Sequence, residues 1–313
     1  MTAPVPLVSG KETPAALRRM RTPTGRRLGE WLPTWALITT KHLELRKRRG
    51  LMTALAVLIL ALPVLLLGFR LLFHLIDPTK YGPAGSPSIF GGVSNVLAEF
   101  GFIAAATLGA AAGTTDLSDG MFRHLVITGR SRLSLYLARI PAGLAIILPV
   151  VAVAFTMLCL VTSYEGVPGP GNPAINEMFK IGLWLVLDVG IGFLTGLGLG
   201  ALTGQRTVTL VLLIALEIIV TPILAAHAIP YFLDGQRLVV GIALDQLRPA
   251  GLAAGSLAGG GGPGAAAPGH VLFGGRGVLG IPPMPTWAMI CVIVGWAVGW
   301  SGIGAWRMVT RDA

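Results

Sequence analysis

The sequence predicts an all-α, polytopic membrane protein, and three observations carry that prediction. Charged residues make up only 12% of its 313 residues, about half of the roughly 25% usual in a soluble domain. The chain is 53% apolar with a mean hydropathy of +0.75, and six of its apolar stretches approach or exceed the roughly 20 residues that cross a bilayer as a helix. It also holds 43 glycines and 22 prolines, a load that soluble helices tolerate poorly and membrane helices accept. Disorder, a collagen-like fibre and a secreted disulfide scaffold are excluded together.

The elements follow in order. Residues 1–29 are rich in proline and arginine and read as a flexible basic tail on the cytoplasmic side. Residues 30–313 form the membrane domain. Its first element, 30–49, places Trp31, Trp35, Ile38, His42 and Leu45 on one helical stripe, with Pro33 suited to a first turn. Tryptophans on a face and basic residues at the end describe a helix in the membrane interface, or else a cytoplasmic extension of the first span. The spans are expected at about 51–76, 93–112, 135–161, 181–202, 208–229 and 287–306. No apolar core of a cleavable signal precedes them.

Charge sets the expected orientation. The first 50 residues hold eleven basic side chains, and Arg46, Lys47, Arg48 and Arg49 abut the first span. Alternation from a cytoplasmic N-terminus then puts 18 of the 24 lysines and arginines on or near the inner side, as the positive-inside rule requires. That placement explains the pI near 10.4 without nucleic acid. Both termini are expected in the cytoplasm, in an inner (plasma) membrane.

Two connections stand out. In 114–134, Leu117, Met121, Phe122, Leu125 and Val126 recur at helical spacing. Thr115 or Ser118 is placed to cap the start of such a helix, and Gly129 to end it. A short amphipathic helix on the cytoplasmic side is the expectation, resting on headgroups or docking a partner. The outer loop, 230–285, is expected to form one or two short helices in 232–257 and a flexible Gly-, Ala- and Pro-rich stretch after them.

Ionisable residues inside spans are functional candidates because their burial is costly. Arg70, Glu99, Asp188 and Glu217 qualify, as a proton or cation relay, as the lining of a substrate path, or as partners within the bundle. Gly192, Gly196, Gly200 and Gly204 fall in steps of four on the fourth span, Ala105, Gly109 and Gly113 on the second, Gly295 and Gly299 on the sixth. Small residues at that spacing read as helix-packing faces. Cys159 and Cys291 read as small buried hydrophobes, and the five scattered histidines make no metal cluster. No Walker phosphate loop, H-E-x-x-H or G-x-S-x-G motif occurs, so neither a nucleotide site nor a catalytic residue is expected on this chain.

The layout resembles the permease subunit of a type-2 ATP-binding-cassette (ABC) transporter. The likeness rests on the basic helix ending Leu43-Glu44-Leu45-Arg46-Lys47-Arg48-Arg49-Gly50 before the first span. It continues with Asp116-Leu117-Ser118-Asp119-Gly120-Met121-Phe122-Arg123 and Thr128-Gly129-Arg130-Ser131-Arg132 between spans two and three, and with the long outer segment before the last span. The resemblance implies an exporter permease that pairs with a second permease, as homo- or heterodimer, and with a separate ABC ATPase subunit that carries the ATP and Mg. It implies that the helix in 114–134 is a coupling helix, with Asp116, Asp119, Met121, Phe122 and Arg123 docking on the ATPase and Arg130 and Arg132 anchoring it. An ion-coupled transporter or channel using the intramembrane carboxylates is the alternative.

Overall fold

The structure is a computed structural model, and it describes residues 32–81, 85–118, 131–165, 174–226, 232–249 and 284–310. Every regular element among them is helical. Helix α1 is Trp35–Lys47. It is followed by α2 (Arg49–Ile76), α3 (Pro87–Ser118), α4 (Arg132–Glu165) and α5 (Ile175–Thr203). The next helical stretch, α6, covers 206–226 in three consecutive pieces, Arg206–Ile214, Ala215–Val220 and Thr221–Ala226. Two short helices follow, α7 (Leu233–Arg237) and α8 (Val240–Gln246), then α9 (Thr286–Thr310). Five helices, α2, α3, α4, α5 and α9, are long and apolar enough to cross a membrane. The chain is a multi-pass membrane protein.

Helices α3 and α5 form the centre. In their most apolar stretches 78% and 72% of the residues are buried, against 17–22% in α2, α4 and α9. Glycine is the reason these two helices reach the middle together. A methyl group on Gly192 would stand 2.8 Å from the Phe102 carbonyl oxygen, and one on Gly200 would stand 2.8 Å from that of Ala110. Gly196 faces the Ala106 carbonyl more closely still, and Gly109 faces that of Phe193. Numbers rise together along both helices, so α3 and α5 run in the same direction with their main chains in contact. Gly204 differs from the other three glycines of its series. It stands at φ 69° as the cap that ends α5, and its N–H donates to the Gly200 carbonyl at 2.9 Å, a left-handed conformation that glycine adopts without strain. Gly295 and Gly299 of α9 have open space where a side chain would go.

The other helices lean on this pair. Phe193 of α5 seats its ring on Gly143 of α4, and Gly198 meets the Trp300 carbonyl of α9. Two π-helical turns interrupt the outer helices, Val57–Ala61 in α2 and Ala215–Val220 in α6. Each ends two residues before a proline, Pro63 and Pro222. Proline removes a ladder donor, and the wider turn rearranges the carbonyls it leaves behind; Thr221 Oγ1 donates back to Leu216 O at 3.0 Å. Beyond α2, Asp77 accepts from Thr79 Oγ1 at 2.6 Å and from the Thr79 and Lys80 amides. The Thr79 hydroxyl, foremost, holds its carboxyl below the usual carboxylate range.

The packing of α1 adds a second face to the expected stripe, and the expectation for one cysteine changes. The face of α1 that is buried consists of Leu37, Lys41 and Leu45, while Trp35 is 77% exposed. Leu37 packs with Leu135 and Ala138 of α4, Ser134 donates to Leu32 O, and His42 Nδ1 lies 3.3 Å from Ala142 O. The helix therefore advances alongside the first turns of α4. Lys41 is admitted to that face because its ammonium donates to Glu44 one turn on, at 2.9 Å, and its stem is apolar. Cys159 is half-buried but Cys291 is exposed, because α9 is peripheral.

If main-chain contact holds the centre, overpacking it is destabilising by about 1–3 kcal/mol or more. Gly196→Leu is expected to lower the melting temperature of the detergent-purified chain followed by tryptophan fluorescence, whereas Gly295→Leu leaves it unchanged to within about 0.5 kcal/mol.

Candidate functional site

Basic residues gather at one end of the bundle, where α2, α4 and α6 begin and α3, α5 and α9 end. The connection 119–130 leaves and returns at this basic end. Asp119, Met121, Phe122, Arg123 and Arg130 lie outside the described residues, and of Asp116 only the helical backbone is described. Helix α3 continues through Ser118, so Thr115 does not cap a new helix. It lies within α3, buried, and donates its hydroxyl to Ala111 O, as Thr114 donates to Ala110 O at 2.9 Å. A threonine facing a well-packed helix neighbour satisfies its hydroxyl proton on the preceding turn, which turns the side chain back along α3.

On the returning side, α4 presents Arg132, Tyr136, Arg139 and Gly143 at spacings of four, three and four, one helical face. Arg132 Nη1 donates to the Val309 carbonyl at 3.0 Å, near the end of α9. Tyr136 is fully buried with its hydroxyl against Gly304 of α9. Arg139, only 2% exposed, donates from Nη1 to the Gly113 carbonyl of α3 at 3.3 Å.

The intramembrane candidates separate. Asp188 is 8% exposed on α5. Since Phe102 sits on Gly192, one turn back brings Asp188 level with Ala98, beside Glu99. Glu99 is half-buried, as is Arg70, six residues before the end of α2. Glu217 falls in the π turn of α6, and its side chain lies outside the described residues. Ser94 and Asn95 of α3 and Thr195 of α5 are buried as well. None of the three is ionisable, so charge does not mark them; their position on the two helices with small residues in steps of four was the available signal. A shallow groove opens between α3 and α6, lined by Phe102, Ile103, Ala106, Thr107, Leu210, Leu213 and Ile214. Among the described residues no group of three or more His, Cys, Asp or Glu is placed to hold a metal ion.

The short helices α7 and α8 match the expectation of one or two helices in 232–257, but they are built into the bundle. Val240, Ile242, Ala243 and Leu244 are buried, and α8 packs against Ile191 of α5 and Ile293 of α9. Trp184 Nε1 donates to Leu244 O at 2.9 Å, and Trp296 Nε1 to Leu238 O at 2.6 Å. Arg248 pairs with Asp245 at 3.3 Å, both almost wholly buried, and lies 5.2 Å from the Trp184 ring centre. Gln246 Oε1 accepts the Met284 amide at 3.0 Å where the chain re-enters. The available signal in the sequence was Trp184, buried at the start of an apolar span, since a buried indole N–H needs an acceptor.

No family model matches the sequence, and no curated protein matches it.

Asp245→Asn leaves the Arg248 guanidinium buried beside a neutral partner, and breaking such a pair costs about 3–5 kcal/mol. Amide exchange in 240–247 is expected to rise by at least tenfold in this variant, measured by mass spectrometry, with exchange in 102–112 unchanged.

Proposed function

We propose that the chain is the permease subunit of an ABC exporter, contributing half of a translocation pathway and coupling to a separate ATPase subunit at the basic end. On this reading the membrane is crossed six times, with α6 as the fifth crossing, α1 at the inner membrane surface, and both termini in the cytoplasm of a cell with this subunit in its inner (plasma) membrane. A second permease, identical or different, completes the pathway, and the α3–α6 groove lies on the wall that the two share. ATP and Mg belong to the ATPase.

The observation that carries the reading is the mounting of 119–130. That connection rises from α3, whose Gly113 carbonyl is held by Arg139, and returns into α4, whose Arg132 holds the end of α9. A lever needs a stiff base, and a partner pressing on 119–130 would meet one that spans three helices. Phe122 and Met121 supply apolar contact and Asp116, Asp119 and Arg123 the register, as in helix-in-groove binding; Arg130 and Arg132 anchor the lever. Rigid-body movement of the attached helices then opens the pathway to the other side.

The test is purification of the tagged chain from its own membranes in mild detergent. An ATP-hydrolysing subunit is expected to co-purify with the wild type, and Phe122→Ala or Arg123→Glu to reduce its recovery at least tenfold with membrane insertion unchanged. A wild-type chain that purifies without ATPase activity, or variants that keep the partner, would overturn the reading.

One observation favours a second reading, an ion-coupled transporter or channel: the burial of Asp188 level with the turn that bears Glu99. That reading expects proteoliposomes of this chain alone to dissipate an imposed proton or sodium gradient, and Asp188→Asn to stop the flux. Tight vesicles under both gradients would dismiss it.

A further inference from the structure

We infer that Arg139 is a positioning residue that ties the basic ends of α3, α4 and α9 into one mechanical unit, so that displacement of 119–130 moves all three helices together. Its use in ATP-driven coupling rests on the permease reading above; the tie itself does not.

Arg139 is the largest of the fully buried side chains, and a buried cation is retained only where hydrogen bonds compensate its lost hydration. One of its partners, at 3.3 Å, is a main-chain carbonyl, that of Gly113. Gly113 cannot retreat. A methyl group there would stand 2.7 Å from Leu197 O and 2.8 Å from the Ala201 amide, so α3 is pressed on α5 at this turn while α4 holds its carbonyl. Two turns earlier on the same face of α4, Arg132 donates to the Val309 carbonyl. Val309 is the penultimate residue of α9, and the carbonyls of a last helical turn have no donor within the helix. Cations near helix C-termini are also favoured by the helix dipole.

Main-chain acceptors matter to the mechanism. A side-chain partner swings on its own rotamer, whereas a carbonyl moves only with its helix. Through these bonds Arg139 follows α3, Arg132 holds α9, and the six residues between them lie in two rigid turns of α4. Phe193 seated on Gly143 continues the same stripe onto α5. A purely space-filling role makes a different prediction, because replacing a buried charge by an apolar side chain of similar length is commonly neutral or stabilising.

The experiment uses the full chain in lipid nanodiscs, as wild type, Arg139→Met and Arg139→Lys, with amide exchange followed by mass spectrometry. In Arg139→Met, exchange in 113–118 is expected to rise about tenfold, the loss of one charge-assisted hydrogen bond, with exchange in 96–106 and the melting temperature unchanged or improved. Arg139→Lys keeps the charge and gives an intermediate rise. Wild-type exchange in 113–118 of Arg139→Met overturns the tie, as does a rise shared equally with 96–106. With the ATPase bound, ATP and vanadate are expected to change exchange in 306–310 of the wild type and not of Arg139→Met. ATP that leaves 306–310 unchanged in the wild type counts against the coupling reading, whatever Arg139 does in the isolated chain.

Discussion

The close approach of α3 and α5 is the constraint on which the rest of this fold depends. Within a bilayer, helices gain nothing by hiding apolar surface from water, since lipid is equally apolar, and they associate through packing and hydrogen bonds. Glycine turns that limit into an advantage by letting backbones touch. Gly192, Gly196 and Gly200 on one helix and Gly109 and Gly113 on the other remove the side chains that would separate them. The helix pair is buried on nearly all sides, and α4, α9 and α8 pack around it.

From that centre the two ends of the molecule differ in chemistry. At the basic end the attachments are arginine to main-chain carbonyl, through Arg132 and Arg139. At the far end they are indole to main-chain carbonyl, through Trp184 and Trp296, with the Asp245–Arg248 pair beside them. Both kinds of attachment reach backbone, so each transmits position faithfully. The proposed export cycle needs this arrangement: a lever at one end, short inserted helices at the other, and a stiff pair of helices between them. The π turns of α2 and α6 put local irregularity on the peripheral helices and leave the central pair regular.

Much of the scaffold was legible because long apolar runs and steps of four glycines are unambiguous in a membrane chain. Five of the six expected spans coincide with helices long and apolar enough to cross a membrane, and 208–229 is helical through Ala226 without being one of them; α3, α4 and α5 run several residues further than their apolar runs, into interfacial sequence that hydropathy does not score. The expected stripe of α1 shares Leu45 with the face that packs on the bundle, while Leu37 and Lys41 fall outside it; Lys41 is admitted there because it pairs with Glu44. Thr115 has the chemistry of a cap, but a helix that is packed at Gly113 and Thr114 has no cause to end there. Gly204 shares the period of its neighbours, yet it falls one turn beyond the last contact with α3 and serves the turn instead. Burial of α8 is not marked locally because the groups that receive it, among them Trp184, Ile191 and Ile293, are distant in sequence. Of the candidate site, the flanking Arg132 was legible from its charge. Arg139 was counted only as a basic residue near the membrane edge, since nothing local marks which arginine will be enclosed by other helices.

Main-chain contact between α3 and α5 is the feature to measure. Solid-state NMR of the chain in lipid, labelled at alanine carbonyls and glycine Cα atoms, measures it directly through dipolar transfer between Ala106 and Gly196. Contact distance, within about 4.5 Å, is the expected result. A separation of about 8 Å or more, the spacing of ordinary helix neighbours held apart by side chains, would contradict it.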